Sequence, residues 1–400
     1  MRPLSRLRIL AFEQYGAGPF GTQFLADMGA EVIKIEQAGT GGDYARELGP
    51  YFVGGEKSDS ASSLFFQALN RNKKSITLDL NCNKGREVLE RLVASSEATA
   101  DNLRGDVPEK LGLTYDALKS ANPAIVCAHC SAYGREGTRK NWPGYDYTMQ
   151  SEAGYFHLCG EPTSEPTRFG LSVVDYMAGL MMSFSLVSAV FDARETGIGR
   201  DVDVSLFGTA MFNLNYLASW ALNSDYVPAR VARSGHPSLV PCQLYKTKDG
   251  WIFLMLNKQI FWPILCEILE RPDLASDTRF KDYPGRHQHR ELLTKLLDEA
   301  LSTRTTDAWL AAFENRLPAA PVNSPHEALE TPYVEEQNYI QTMTHHSGEN
   351  FRVMASPIRT GDDNSEDKGA PQLGADTDQI LGSVGFCQSE IAQLREEGVI

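Results

Sequence analysis

The fold is set by residues 7–36, which read LRILAFE (Leu7–Glu13), QYGAGPFG (Gln14–Gly21), TQFLADMG (Thr22–Gly29) and AEVIKIE (Ala30–Glu36). Apolar runs at both ends and glycines between them predict a strand, a tight turn, a short helix and a second strand. The turn spells Gly16-x-Gly18-x-x-Gly21. Glu36 closes the second strand about 20 positions later, as the acidic residue of the dinucleotide-binding fingerprint does.

This fingerprint by itself indicates NAD, or a tight turn with no ligand, but features of the segment disfavour NAD. Pro19 interrupts the turn, and the helix has only about eight residues before Met28-Gly29, fewer than a dinucleotide-binding unit usually carries. The sequence also offers no recognisable His and Arg set for hydride transfer. The glycines still let the backbone approach a phosphate, and the helix N-terminus supplies free amides. We therefore interpret the segment as a phosphate-binding turn for another nucleotide.

Strand and helix signals alternate through residues 1–130. A helix is predicted at Asn83–Val93, whose apolar residues fall on one face, and a buried strand at Ala124–Cys130. This alternation predicts an α/β fold with a parallel sheet covered on both faces. Composition shifts after about residue 225, where a hairpin pattern and further helices begin. We therefore expect a large domain from residues 1–225 and 330–400 and a smaller α+β domain from residues 226–329.

Composition limits the class of protein. The net charge of −14 argues against nucleic-acid binding, which requires basic patches. The cysteines, seven in number and scattered, argue against a disulfide scaffold. The N-terminus lacks the apolar run of a signal peptide, so we expect a cytoplasmic protein. The richest apolar run, Tyr176–Phe191, contains serines and is expected to be a buried helix rather than a membrane span.

We expect no metal site from the sequence. Cys127-Ala-His-Cys130 lies in a predicted strand, where residues i and i+3 face opposite sides and cannot share a metal. His345-His346, and the pair His287 and His289, lack a third ligand at a standard spacing.

Asp175 is the carboxylate whose position best suits chemistry. It follows an apolar run and begins a long apolar helix, with little competing charge nearby. One interpretation is a helix N-cap. The other is a nucleophile that stays ionised at the helix N-terminus. The pattern alone leaves both open.

Ordered motifs run through nearly the whole chain. They are Ala17–Phe20, Leu25–Glu36, Asn70–Asp79, Leu171–Gly179, Thr196–Gly199, Val202–Leu206, His236–Ser238, Lys248–Gly250, Ala320–Asn323 and Ala370–Gly374. In this order they resemble the family III CoA-transferases, also called the CaiB/BaiF family. That family includes formyl-CoA:oxalate and crotonobetainyl-CoA:carnitine CoA-transferases.

The resemblance implies a Rossmann-like large domain formed by both chain ends. It implies homodimers whose two chains are threaded through each other like linked rings. It also implies that Asp175 is catalytic. The carboxylate attacks a donor acyl-CoA thioester, forms a mixed anhydride and then an aspartyl-CoA thioester, and CoA passes to an acceptor acid. The expected partners are an acyl-CoA and a small carboxylic acid, with coenzyme A as substrate and no permanently bound cofactor.

The resemblance further assigns contacts to CoA. They fall on Gly16, Ala17, Leu78, Asn102, Leu103, Arg104, Lys110, Tyr145 and Asp146. Arg46 and Lys73 are expected near the CoA phosphates. The acceptor pocket is expected beside Asp175, near Tyr145, Gln150 and the loop Arg233–Ser238. The family often has a basic residue where this chain has Gln37, so that contact is left open.

Other functions remain open at this stage. The α-methylacyl-CoA racemases, a sister branch, use a histidine base in a Gly-His-Asp-like segment. Here the segment reads Gly144-Tyr145-Asp146, and tyrosine, with a pKa of about 10, is a poor base at neutral pH. A non-catalytic CoA-binding homologue is disfavoured by Asp175 and its helix. An NAD dehydrogenase is the weakest alternative.

Overall fold

The structure, a computed structural model, describes residues 2–360 and 367–400. Its strands are β1 (Arg8–Phe12), β2 (Glu31–Glu36), β3 (Lys74–Thr77), β4 (Ala98–Asp101), β5 (Val126–Ser131), β6 (Arg200–Ser205), β7 (Cys242–Lys246), β8 (Trp251–Met255), β9 (Ala319–Pro321), β10 (Ile340–Thr344) and β11 (Asn350–Met354). Its α-helices are α1 (Ala17–Asp27), α2 (Leu64–Asn70), α3 (Asn83–Ala94), α4 (Val107–Lys110), α5 (Tyr115–Leu118), α6 (Asp146–Glu152), α7 (Tyr155–Leu158), α8 (Val173–Thr196), α9 (Leu206–Asn213), α10 (Asn215–Asn223), α11 (Phe261–Ile268), α12 (Pro272–Ser276), α13 (Tyr283–Gln288), α14 (Arg290–Leu301), α15 (Thr306–Phe313), α16 (Pro325–Leu329), α17 (Pro332–Glu336), α18 (Thr377–Ser383) and α19 (Gln388–Glu396). Two short 3-10 turns span Tyr44–Glu47 and Ala232–Ser234.

The main sheet has six strands in the order β3-β2-β1-β4-β5-β6, and every neighbouring pair is parallel. This is the strand order of the Rossmann fold, so the expected α/β class with a parallel sheet is confirmed. Strands β2 and β3 lie on one side of β1, and strands β4 to β6 lie on the other. The strand order therefore reverses between β1 and β4. In such sheets ligands bind outside the carboxyl ends of the strands at that reversal.

Apolar side chains from strands and helices form one core against this sheet. As the helical spacing predicts, α3 buries Val88, Leu89, Leu92 and Val93 on one face. These residues pack with strand residues such as Ile33 and with C-terminal helices α18 and α19 in a single cluster. Burial of each such side chain contributes about 1.5–3 kcal/mol. The C-terminal helices therefore belong to the same core as the first strands.

Helices α1 and α8 cross with their backbones in close contact. A Cβ at Gly21 would lie 2.3 Å from the carbonyl oxygen of Gly179, and a Cβ at Gly179 would lie 2.3 Å from the carbonyl oxygen of Ala17. No side chain fits at either position. The third glycine of the turn motif therefore serves helix packing, and it fixes the head of α8 against the turn that precedes α1.

By length and composition alone α8 could cross a membrane, and it is the one helix among residues 2–360 and 367–400 of which this holds. Half of its most apolar stretch is buried within the protein. The core helix of a globular domain can have the same length and composition. The predicted burial of Tyr176–Phe191 holds only in part, because Phe184 and Phe191 are exposed.

The strand β3 forms one edge of the sheet, and the segment that leads into α18 covers it. The backbone N–H of Ser75 donates to Asp376 Oδ2 at 2.9 Å, and that of Thr77 donates to Thr377 Oγ1 at 3.4 Å. The N–H of Asp376 donates in turn to the carbonyl oxygen of Ser75 at 2.9 Å. Side chains thus take the amide groups that an edge strand leaves unpaired.

The chain divides into two compact units. The first contains the described residues of Met1–Ala153, Phe169–Leu217 and Gln337–Ile400, and the second contains Gly154–Arg168 and Ala218–Glu336. Within the second unit, β7, β8 and β9 form an antiparallel sheet that packs with helices α11 to α15.

These bounds differ from the expected division at residues 225 and 330, because 154–168 and 218–225 belong to the smaller unit. The physical reason lies in Arg230. Its guanidinium donates to the carbonyl oxygens of Phe156 at 3.0 Å, His157 at 3.2 Å and Glu161 at 3.2 Å. Contacts between one arginine and carbonyl oxygens 69 to 74 residues away leave no composition signal in the sequence.

Candidate active site

The carboxylate of Asp175 lies against the glycine turn, beside the point between β1 and β4 where the strand order reverses. Asp175 is the third residue of α8 and is 6% exposed. A Cβ at Gly16 would lie 2.5 Å from Asp175 Oδ2, so only glycine leaves room for the carboxylate there. The first amides of α1, which begins at Ala17, have no partner one turn back in the helix. They are therefore free to stabilise an anion next to Asp175.

Asp146 holds the head of α8 in place. Its Oδ2 accepts hydrogen bonds from the backbone N–H of Val174 at 2.7 Å and of Asp175 at 2.9 Å. Ser172, the N-cap residue of α8, makes no capping bond with its side chain. The carboxylate of Asp146, which comes from α6, therefore replaces the local cap and fixes the position of Asp175, and its contact with CoA stays a prediction.

Asp175 does not stay fully ionised, contrary to the expectation from its helix position. Burial, and next the negative charge of Asp146, raise the pKa of Asp175 to about 7. Both the neutral and the charged form of Asp175 are therefore accessible near neutral pH. A carboxylate with so high a pKa is more basic than an exposed one, and perturbed groups of this kind are typical of functional sites.

A cavity of about 590 Å³ opens in front of Asp175. It brings together most of the residues that the family resemblance assigns to CoA. The predicted residues along its wall are Gly16, Ala17, Asn102, Leu103, Arg104, Tyr145, Asp146 and Asp175. A second cavity of about 230 Å³ lies at the carboxyl ends of β1, β2 and β3, and Leu78, Leu103 and Gln37 line it.

Asn102 joins the ends of β1 and β4 at the reversal. Its Oδ1 accepts from the N–H of Gln14 at 2.8 Å, and its Nδ2 donates to the carbonyl oxygen of Gln14 at 2.7 Å. A Cβ at Gly18 would lie 2.9 Å from the side chain of Asn102, so the second glycine of the motif makes room for this bridge. Asn102 therefore fixes the course of the turn as well as lining the cavity.

Aromatic side chains form a wall of the cavity that the sequence did not reveal. The ring of Tyr15 lies 6.4 Å from that of Tyr44, 5.3 Å from that of Phe65 and 6.3 Å from that of Tyr145. Tyr15 has a φ of 67°, a strained conformation for tyrosine, and its N–H donates to Asp43 Oδ1 at 3.0 Å. Burial, and next the charge of Asp175, raise the pKa of Tyr15. The four rings come from separate segments, so no local pattern could have grouped them.

Arg46 and Lys73 are not phosphate contacts, because both are buried in ion pairs. Arg46 is fully buried, bonds both oxygens of Glu36 at 2.6 and 2.8 Å, and stacks 4.0 Å from the ring centre of Phe66. Lys73 is paired with Glu13 at 2.7 Å, and burial lowers its pKa to about 8. Neither side chain can reach a bound ligand without leaving its partner uncompensated.

The two pairs belong to a buried ionic network beneath the turn. It also contains the ion pair of Lys34 with Asp43 at 2.8 Å, and Lys34 donates to the carbonyl oxygen of Glu13 at 2.8 Å. Glu36 accepts further from Ser75 and from the N–H of Asp43. Its oxygens are thus fully used, and Glu36 cannot serve as the ribose-binding acid of an NAD site.

The remaining predicted residues are placed less centrally. Lys110 is 67% exposed in its side chain, pairs with Asp106, and is not among the described residues that line either cavity. Arg104 pairs with the same carboxylate at 2.5 Å and does line the main cavity. Gln37 donates to Asp79 at 2.8 Å, which keeps a polar group where a cation was expected.

Two parts of the expected acceptor pocket also differ. Gln150 is fully buried and donates to Asp146 and to the carbonyl oxygen of Leu171, so it supports the head of α8 instead of lining the cavity. Arg233 lies in the second unit, where it pairs with Asp298 at 2.7 Å.

Comparison with known proteins decides the family. A family model described as CoA-transferase family III matches residues 4–377. The chain belongs to CoA-transferase family III. It is therefore a transferase, and the expected family and class of activity are confirmed. Enzymes of this family use CoA thioesters as substrates.

Relatives and a solved structure agree with this assignment. The enzyme is 34% identical to an acyl-CoA transferase of Fusarium pseudograminearum, over 99% of this chain and 88% of the relative. It is 30% identical to a succinate–glutarate CoA-transferase of Agrobacterium fabrum, over 96% of both. The crystal structure of a CaiB/BaiF family protein from Brucella suis matches with a TM-score of 0.80 and 30% identity, over 96% of this chain and 99% of that chain.

Proposed function

We propose that the enzyme moves CoA from an acyl-CoA thioester to a small carboxylic acid through covalent intermediates on Asp175. The observation that carries this proposal is the position of Asp175. A buried carboxylate with a raised pKa faces a glycine turn at the end of the sheet where a nucleotide binds. No basic side chain is needed to activate it, because an ionised carboxylate is already a nucleophile.

The proposed reaction begins with attack of an Asp175 oxygen on the thioester carbon of the donor. The C–S bond breaks, CoA leaves as a thiolate, and a mixed anhydride forms. The thiolate then attacks Cγ of Asp175, which gives an aspartyl-CoA thioester and releases the donor acid. The acceptor carboxylate attacks the same carbon, and the displaced thiolate takes the acceptor acyl group from the second anhydride. Asp175 is returned unchanged.

The surroundings of Asp175 fit these steps. Each attack places negative charge on a carbonyl oxygen, and the free amides at Gly16 and Ala17 supply donors beside it. The anhydrides and the thioester hydrolyse if water enters, and the rings of Tyr15, Tyr44 and Tyr145 cover one side of the cavity. Asp146 keeps Asp175 at the head of α8 through its bonds to the backbone.

We further propose that the acceptor is a small dicarboxylic acid. Relatives of the enzyme are named for succinate and glutarate, for oxalate and for mesaconate. Arg104 is the cation along the described wall of the main cavity and would bind the CoA phosphates or an acceptor carboxylate. A panel of carboxylic acids tested with succinyl-CoA and acetyl-CoA donors identifies the pair.

Trapping of the intermediate tests the mechanism. Incubation with acyl-CoA and no acceptor is expected to add CoA to the protein, with the adduct on Asp175 and sensitive to hydroxylamine. The variant Asp175→Asn should form no adduct and should lose at least about a thousandfold in kcat/KM. The exposed carboxylate variant Asp116→Asn is the control. An adduct on another residue, or an active Asp175→Asn enzyme, contradicts the proposal.

A racemase would require a second base across the α-carbon. Among the described residues that line the main cavity there is no histidine, and position 145 is tyrosine. We therefore expect no exchange of the α-proton of an acyl-CoA in deuterium oxide. Exchange in the absence of any acceptor acid would instead support the racemase.

We also propose that two chains form a homodimer of the linked-ring type. Phe184, Phe191 and Phe212 on α8 and α9 are 76%, 71% and 69% exposed, more apolar surface than a monomer usually leaves in water. Sedimentation should give twice the chain mass. Linked chains cannot separate without unfolding, so mixed tagged and untagged dimers should exchange subunits only after denaturation. Exchange under native conditions would contradict the linked form.

A further inference from the structure

A cluster of residue types that can bind a metal ion lies away from the cavity around Asp175. The hairpin of β10 and β11 carries His345 and His346 at its turn, and Asp59 lies in the loop before α2. One ligand atom from each of these three residues lies within 4.8 Å of the others. The sequence offers no third ligand near the two histidines, but the fold brings Asp59 to them.

The distances suit a single small cation. Asp59 Oδ2 lies 2.9 Å from His346 Nε2, and Asp59 Oδ1 lies 3.8 Å from His345 Nε2. Ligands of a tetrahedral zinc ion, each bound at about 2.0–2.1 Å, are separated by about 3.3 Å. The observed separations lie on either side of this value.

His345 is prepared to act as a ligand. Its side chain is 1% exposed, and its Nε2 has no hydrogen-bond partner among the described residues. Its Nδ1 lies 2.8 Å from Ser347 Oγ, closer than the 3.4 Å to the N–H of Ser347, and Ser347 Oγ donates to Glu349 Oε2 at 3.3 Å. These contacts engage Nδ1, so Nε2 is the ring nitrogen left for a ligand, and metal-binding histidines likewise bond their second nitrogen to a neighbour.

Burial explains why an unpaired nitrogen here calls for a ligand. A buried polar atom with no partner destabilises the fold, and a bound ligand removes that cost. The backbone holds the ring in place, because His345 N–H donates to the carbonyl oxygen of Glu349 at 2.8 Å.

We propose that Asp59, His345 and His346 bind one divalent transition-metal ion of the zinc type, with a water in the fourth position. Two imidazoles and a carboxylate are the ligand set that zinc accepts. The ion ties the loop before α2 to the hairpin above a small apolar cluster of Val53, Met343 and Phe351. None of the three ligands is among the described residues that line the cavity at Asp175, so the site stabilises the fold without entering the transfer reaction.

The test measures zinc binding on untagged protein. The exposed free thiol of Cys387 also attracts zinc, so all variants carry Cys387→Ser. Metal-free protein is titrated with Zn²⁺ by calorimetry, and its melting temperature is followed with and without the ion. We expect one equivalent bound and a higher Tm. Both Asp59→Asn and His346→Ala should weaken binding by at least about tenfold and remove the rise in Tm.

Two controls make the result decisive. His326→Ala removes a histidine that is 83% exposed and pairs with Glu330, and it should bind zinc as the parent does. Zinc X-ray absorption should show two imidazole ligands in the parent and one in His346→Ala. The proposal is overturned if the parent binds no stoichiometric zinc, if Asp59→Asn and His346→Ala bind it equally well, or if His326→Ala loses it. These outcomes are independent of CoA transfer, because transfer activity is not the readout.

Discussion

Two groups of buried carboxylates lie on either side of the glycine turn, and they differ in how their charge is compensated. Beneath the turn, Glu13, Glu36 and Asp43 face Lys34, Arg46 and Lys73, so three negative charges meet three positive ones. In front of the turn, the backbone amides of Val174 and Asp175 donate to Asp146, and the negative charge of Asp146 acts on Asp175.

The pKa values follow this difference. Burial acts to raise the pKa of both Glu36 and Asp43, but Arg46 and Lys34 outweigh it and the two values fall below their usual range. Burial and Asp146 act together on Asp175 and raise its pKa to about 7. Compensated carboxylates therefore hold the structure, and the uncompensated one is left reactive at some cost in stability.

Removing one partner of a buried ion pair beneath the turn should give the largest loss of stability. Arg46→Met removes the partner of buried Glu36, and we expect a loss of about 3–5 kcal/mol in the free energy of unfolding, measured in urea. The control is Arg200→Met, whose exposed pair with Asp192 should contribute less than about 1 kcal/mol. A similar small loss in both variants would mean that the network does not support the turn.

Removing the charge of Asp175 should raise the free energy of unfolding rather than lower it. The pKa of Asp175 is raised on folding, so its contribution to stability is present below pH 4 and is lost as pH rises toward 7. Asp175→Asn should therefore be more stable than the parent at pH 8, by up to about 4 kcal/mol. The gain should shrink as pH falls toward 4. A gain that does not vary with pH in urea unfolding would contradict the raised pKa.

The same pKa predicts the pH dependence of activity. The carboxylate form of Asp175 is the nucleophile, so kcat/KM should rise between pH 5 and 8 with a midpoint near 7. Because the charge of Asp146 raises this pKa, Asp146→Asn should move the midpoint to lower pH. An unchanged midpoint in that variant would show that the two carboxylates are not coupled.

The room that Gly16 leaves for Asp175 can be tested directly. The added Cβ of Gly16→Ala would lie 2.5 Å from Asp175 Oδ2 and must displace it. A displacement of about 1 Å costs about a hundredfold in rate, so we expect that loss in kcat/KM with little change in Tm. Gly382→Ala, where a Cβ meets open space, is the matched control.

The smallest expected effect is the difference between Arg104 and Lys110, the two exposed cations that pair with Asp106. Arg104 lines the cavity and Lys110 does not. We expect Arg104→Ala to raise KM for acyl-CoA by about fivefold, since a single screened charge contributes about 1 kcal/mol or less, and Lys110→Ala to raise it by less than about twofold. Equal effects in steady-state assays would restore the sequence-based role of Lys110.

The sequence predicted what local pattern determines. The glycine turn, the parallel sheet and Asp175 at the head of α8 follow from residues close together in the chain. The roles of Arg46 and Lys73 were wrong, because a cation in sequence looks the same whether it faces a phosphate or a buried carboxylate. Their partners Glu36 and Glu13 are found only once the strands are assembled.

The site residues that sequence missed are those whose partners are distant. Asp146 was predicted only as a CoA contact, and its hydrogen bonds to the backbone of Val174 and Asp175, 28 and 29 residues away, leave no local pattern. The unusual φ of Tyr15 has no signature in residue type, although the glycines beside it mark a tight turn.

The covered edge of the sheet has a consequence for solubility. A strand such as β3, with amides free to pair, is a template for strand addition by a second molecule. Asp376 and Thr377 use those amides with side-chain oxygens, which cannot extend a ladder of strands. The segment leading into α18 therefore protects β3 from strand addition by a second molecule. Variants that loosen this segment should form intermolecular β-structure before the core itself unfolds.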